Sequence, residues 1–238
     1  MLTSSKQLQD IFFCPEESNF YSHCLETLVL NNCVGSESIV EFGSGDGTPV
    51  IKSLLRTRFD GIVHGFEINT LAWEAANSKI EEYGLKQKYL MHNRSLFESS
   101  KLPADYLISN PPYLPASDNK IYQPFLHGGI DGITVTKQLL GLGYENVLVM
   151  IASYSNPEGI INYAREKGYQ TSNFLISPLR FGYYSSDPKV RTRIRELREN
   201  NMAFYSKNIY LLAGVVFTKH QKFTADVSTE LVQLMTSL

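Results

Sequence analysis

Three short stretches carry residue types and spacings that could do chemistry. The first is EFGSGDGT, Glu41 to Thr48, with glycines at 43, 45 and 47. Glycines so placed let a chain turn sharply and bring backbone close to a ligand. A helix starting after them would offer its free N–H groups to the same place. The spacing is GxGxG. It is neither the GxGxxG of dinucleotide enzymes nor a phosphate loop with its Lys and Ser/Thr, which disfavours a nucleoside triphosphate. The second stretch is GFEIN, with Glu67. A carboxylate about 20–25 residues beyond a glycine loop can accept both hydroxyls of a ribose. The third is ISNPPYLP, Ile108 to Pro115. Asn110 supplies a carboxamide acceptor and the Pro111 carbonyl a second. Pro111 and Pro112 fix two φ angles and so preorganise both, and Tyr113 adds a flat face. Together these parts suit a planar –NH2 group held by its two N–H bonds under an aromatic ring, its lone pair turned toward an electrophile. Such a site needs orientation more than a strong base. Each stretch alone has a plainer reading, as a glycine turn, a helix-capping acid and a proline turn.

These residues must be positioned by a scaffold. SESIVEF (Ser36–Phe42), GIVHGFEI (Gly61–Ile68), QKYLMH, ADYLIS, ENVLVMIAS, QTSNFLIS and NIYLLAGVVFT read as strands. Helical spacing of apolar residues marks Ser18–Asn31, Thr48–Arg58, Leu71–Tyr83 and EGIINYAREKG. Strands alternating with helices predict a Rossmann-like α/β fold: a seven-stranded, mostly parallel sheet with helices on both faces and an antiparallel last strand. In such sheets ligands bind beyond the carboxyl ends of the strands. All three stretches fall at strand ends. The chain divides into a short N-terminal cap segment (1–34), a main domain (35–220) and a C-terminal helical tail (221–238). An insertion rich in Arg, Tyr and Phe (178–207) lies between the last two strands. In it KVRTRIRELREN puts Arg191, Arg195 and Arg198 on one helical face.

Composition narrows the classes. The chain has 238 residues, 43% hydrophobic and 19% charged, with a formal net charge of −2. That balance is ordinary for a globular protein and gives no global attraction to nucleic acid. Cys14, Cys24 and Cys33 form neither a CxxC pair nor a zinc cluster, which fits reduced thiols in a cytoplasm. No apolar run reaches a membrane helix, and the N-terminus lacks a signal-peptide pattern. The histidines, His220 among them, have no metal-ligand spacing.

VEFGSGDGT, GFEIN and ISNPPYLP, in this order, resemble the class I methyltransferases that use S-adenosyl-L-methionine. The NPPY tetrapeptide narrows the likeness to enzymes that methylate planar nitrogens. FFCPEESNFY, SLFES (95–99) and HGGIDGITV (127–135) are similar to segments of the release-factor glutamine N-methyltransferases. Ser95 stands where that family carries an acid, and Ser18 and Asn19 replace its Asp-Thr pair. The resemblance implies that Glu41, Phe42, Gly43 and Gly45 line the methionine end of the cofactor. Glu67 would take the ribose and Ile68 would pack on adenine. Ser95 and Leu96 would face the adenine edge, and Asn110, Pro111 and Tyr113 would hold the target nitrogen. It implies transfer to a glutamine amide of a protein. The segment 178–207 departs from that family, and its tyrosines beside arginines read instead as an anchor for the substrate. An adenine in RNA or DNA, or a small metabolite or peptide, is the alternative acceptor.

Overall fold

The computed structural model describes residues 11–219 and 225–238, so His220 and the first ten residues of the cap segment lie outside the described residues. Seven strands form a sheet in the order β3-β2-β1-β4-β5-β7-β6. They are β1 (Ser38–Phe42), β2 (Ile62–Phe66), β3 (Tyr89–His92), β4 (Tyr106–Ser109), β5 (Asn146–Ala152), β6 (Tyr169–Arg180) and β7 (Ile209–Lys219). The helices among the described residues are α1 (Pro15–Leu28), α2 (Thr48–Arg56), α3 (Thr70–Glu82), α4 (Thr134–Gly141), α5 (Pro157–Glu166), α6 (Pro188–Glu199) and α7 (Ser228–Met235). The chain forms two compact units, one ending at Asn110 and the other beginning at Pro111.

In the first unit β1 pairs in parallel with β2 and with β4, and β2 pairs in parallel with β3. Ile39, Val40, Val63, Leu107 and Ile108 are fully buried. Buried, uninterrupted apolar strands are what a parallel sheet requires. Each helix start has a local cause. Proline stands in the first turn of α1 and α2, where its missing N–H costs nothing. Asn69 caps α3 by accepting from the Leu71 N–H at 3.1 Å.

In the second unit β7 runs antiparallel to both β5 and β6, as expected of the last strand. One boundary and one helix differ from the sequence reading. β6 continues through Pro178, Leu179 and Arg180, which pair with Leu211, Tyr210 and Ile209, so the insertion starts at Phe181 rather than at 178. Pro178 is tolerated because β6 is an edge strand, where a missing N–H need not break a ladder. Helix α4 follows the glycine-rich segment and was hidden by its short, Gly-flanked sequence. Near the C-terminus Ser228–Met235 form α7, with Leu231 and Met235 buried. No described helix is long and apolar enough to cross a membrane.

Candidate active site

The carboxyl ends of β1, β2, β3 and β4 carry the predicted residues of the first unit. After β1, Gly43, Gly45 and Gly47 adopt φ of 69°, 56° and 71°. This left-handed backbone costs glycine little and other residues about 1 kcal/mol or more. A Cβ at Gly43 or Gly45 would meet nothing within 4 Å, so conformation and open space, not crowding, call for glycine there. The N–H groups of Gly43 and Ser44 both donate to the Phe66 carbonyl, at 2.9 and 3.2 Å, which fastens the loop to the end of β2. Asp46 accepts from the Thr48 N–H at 3.1 Å and from Lys79 Nζ at 2.5 Å, which fastens its far side to α3.

Glu67 is drawn into the same loop. One carboxylate oxygen accepts from the Gly45 N–H at 2.8 Å, the other from the Asn69 N–H at 2.7 Å. The Ile68 N–H also bears on the carboxylate, and its four lone-pair directions still leave room for a further donor. Burial pushes its pKa up, and the backbone bonds pull against that. Ile68 beside it is exposed. From β3, Leu96 is buried and Ser95 is half-buried, while Phe97 lies against Phe42 with ring centroids 5.1 Å apart. Phe97 lies within SLFES, but only the structure pairs it with Phe42.

Glu41, on β1, lies in the interior of the first unit. It is 2% exposed, and its oxygens accept from the Tyr21 hydroxyl at 3.2 Å and from the Tyr89 hydroxyl. Burial raises its pKa to about 7, against the lowering effect of these hydrogen bonds. The two tyrosines could not be found by motif, since each sits among ordinary core residues of a helix or strand.

At the end of β4, Ser109 donates its hydroxyl to the Phe42 carbonyl at 2.9 Å. Asn110 follows, and its Oδ1 is buried without a hydrogen-bond partner. The loop Oγ of Ser44 is the other such atom among the described residues. Buried acceptors are paired in the great majority of cases, because leaving one unpaired costs about 1–3 kcal/mol. An unpaired carboxamide oxygen beside two prolines is what a site awaiting an N–H donor would hold.

In the second unit Pro111 and Tyr113 are buried, and no described peptide bond is cis. The Tyr113 carbonyl accepts from Ser155 Oγ at 2.7 Å, and its ring meets Tyr154 edge-on at 6.1 Å. The glycine-rich segment runs beside this turn. Leu114 donates to the Leu126 carbonyl, Gly128 to that of Leu114 and Ala116 to that of Gly129. A Cβ on Gly128 would lie 2.6 Å from the Tyr113 Cα and 2.8 Å from the Pro112 carbonyl oxygen. Asp131 accepts from the Asn156 carboxamide at 3.0 Å. Asn156, in the left-handed region at φ 47°, also caps α5 through Gly159. His64 and His92 approach to 3.2 Å between ring nitrogens, but no group of three metal-ligating side chains occurs among the described residues.

A sheet in this order is the fold of the class I methyltransferases. The magnesium protoporphyrin IX methyltransferase of Synechocystis with bound SAM superposes with a TM-score of 0.56 at 11% identity, over 90% of this chain and 91% of that one. A Pyrococcus horikoshii protein, provisionally named an RNA methyltransferase, gives 0.58 at 13% identity, over 91% and 90%. Among curated sequences, the ribosomal protein uL3 glutamine methyltransferase of Neisseria gonorrhoeae is 29% identical over 110 residues, 43% of this chain and 34% of that protein. The release factor glutamine methyltransferase of Gloeobacter violaceus is 27% identical over 119 residues, 46% of this chain and 41% of that protein. The chain thus matches well under half the length of these relatives. No family model matches it.

Proposed function

We propose that this chain is an N-methyltransferase that uses S-adenosyl-L-methionine and acts on the side-chain amide of a protein glutamine. The observation that carries the reading is the buried, unpartnered Oδ1 of Asn110 at the end of β4, next in the chain to two prolines. The cofactor, when bound, would supply a methyl carbon activated by its sulfonium: the N–CH3 bond forms as the S–CH3 bond breaks, S-adenosyl-L-homocysteine leaves, and the amide gives up one N–H proton to solvent. The residues fit such a group. Gly43 and Gly45 give backbone with nothing beside it, and Glu67 has lone pairs to spare for ribose hydroxyls. Phe42, Ile68, Ser95 and Leu96 would border the nucleoside, and Glu41 would fix the loop from beneath through its tyrosines.

In this reading Asn110 and the Pro111 carbonyl accept the two N–H bonds of the target amide, while Tyr113 limits its plane. An amide nitrogen is a poor nucleophile because its lone pair is delocalised into the carbonyl. Holding both N–H bonds restricts the approach to one direction, and that orientation is the chain's contribution to rate. The names of the uL3 and release-factor relatives support glutamine as acceptor. An adenine amino group in nucleic acid is the second reading, favoured by the arginine-bearing α6. Incubating extract with radiolabelled cofactor and purified chain tests both. Label that survives nuclease and is lost to protease supports the first. Nuclease-sensitive label overturns it in favour of the second, and label in small molecules overturns both.

A further inference from the structure

The insertion is built onto the loop that follows the NPPY turn. Asp187 caps α6 through the N–H groups of Lys189 and Val190, and its other oxygen accepts from the Tyr122 N–H at 2.8 Å. Lys189 pairs with Asp118 at 2.6 Å, and Arg193 donates to the Ile130 carbonyl at 2.7 Å. The loop 118–130 and α6 therefore present one continuous surface within the second unit. It is unusually apolar for exposed residues: Tyr122 is 52% exposed, Phe125 55%, Ile130 59% and Tyr183 69%. Tyr122 and Tyr183 stack at 5.2 Å, leaving their outer faces to solvent. Clustered exposed aromatic and aliphatic side chains beside arginine are the composition of protein interfaces.

Charge says what kind of partner fits. Residues 178–207 hold seven Lys or Arg and three Asp or Glu, in a chain whose net charge is −2. The segment is thus positive while the rest of the chain is negative, and it attracts anions over the Debye range. Nucleic acid is the weaker candidate. Asp118 and Glu196 offset Lys189 and Arg193, while Arg191 over Phe181 and Arg198 over Tyr205 keep their charge for isolated carboxylates rather than forming a continuous phosphate track. Phe125 and Ile130 also match side chains better than a sugar–phosphate backbone.

We propose that the surface formed by Tyr122, Phe125, Ile130, Tyr183 and the exposed face of α6 docks an acidic, aliphatic segment of the polypeptide that carries the target amide. This rests on the glutamine reading above. The surface is joined to the target loop by the chain itself, since Leu114 and His127 bridge the two ends of the intervening loop. A partner held there would raise the effective concentration of its glutamine without touching Asn110.

The test is fluorescence anisotropy with three labelled probes: a glutamine peptide flanked by Leu and Glu, the same peptide with Lys for each Glu, and single-stranded oligo-uridine. The expected result is binding of the acidic peptide in preference to the other two, weakened by salt. Tyr183→Ala and, independently, Arg195→Glu should each weaken it roughly tenfold. Both positions are solvent-facing, and unchanged melting temperatures certify the fold. Equal binding of the lysine peptide, tighter binding of RNA, no measurable binding, or variants that bind like the parent would each overturn the proposal. Methyl transfer is read separately. Docking that passes these criteria without transfer to any peptide removes the glutamine reading and leaves the docking surface standing.

Discussion

Asn110 and Glu67 sit one turn apart in function but should separate cleanly in measurement. If Asn110 accepts from the target amide as proposed, Asn110→Ala should lower methyl transfer about a hundredfold or more. Cofactor affinity measured by calorimetry should stay within about twofold. Glu67→Ala should do the reverse and weaken cofactor binding by about 1–3 kcal/mol; equal loss in both variants would merge the two roles. Glu41 makes a prediction about pH. Its folded pKa of about 7 lies above the unfolded value near 4.3. The folded state therefore binds more protons, and stability falls as pH rises from about 4 to 7, by at most about 4 kcal/mol. Glu41→Gln cannot titrate, so its stability relative to the parent should improve between pH 5 and pH 8. Urea melts at the two pH values decide this, and a difference that does not move with pH would show that the carboxyl titrates normally.

The glycine-rich segment acts as a brace for the proline turn. Gly128→Ala would drive a methyl into the Tyr113 Cα and the Pro112 carbonyl, a backbone clash that side-chain rotation cannot relieve. The expected result is a lower melting temperature together with transfer lost beyond what stability explains, since the turn that carries the acceptors is displaced. Crystallography of the variant should find residues 112–114 shifted. An unshifted turn with full activity would remove the brace from the argument. At this scale the sequence was legible where periodicity and turn chemistry agree. The strands of the first unit, their order along the chain and the three loop stretches all follow from apolar runs ended by Gly, Asn and Pro. Less legible was anything set by tertiary contact. Pro178 reads as a strand terminator until β6 is known to be an edge. Tyr21, Tyr89 and Phe97 carry no pattern that distinguishes them from core aromatics, and the Asp131–Asn156 bond joins residues that no motif links.

The whole chain divides at the Asn110–Pro111 bond into two compact units, so the NPPY tetrapeptide contributes its asparagine to one and its prolines and tyrosine to the other. S-adenosylmethionine at a hundredfold excess over its dissociation constant should stabilise the folded chain by about 2.7 kcal/mol, read as a rise in melting temperature. The hydroxyl of Ser109, bonded to the Phe42 carbonyl, ties the residue before Asn110 to the residue before Gly43. If that bond couples the two turns, free energy as a state function makes any benefit reciprocal. The factor by which cofactor tightens an amide at Asn110 must equal the factor by which the amide tightens cofactor. Ser109→Ala should bring both factors toward one together. Titrating each ligand in the presence and absence of the other measures whether this single hydroxyl sets an order of binding or merely holds two strand ends level.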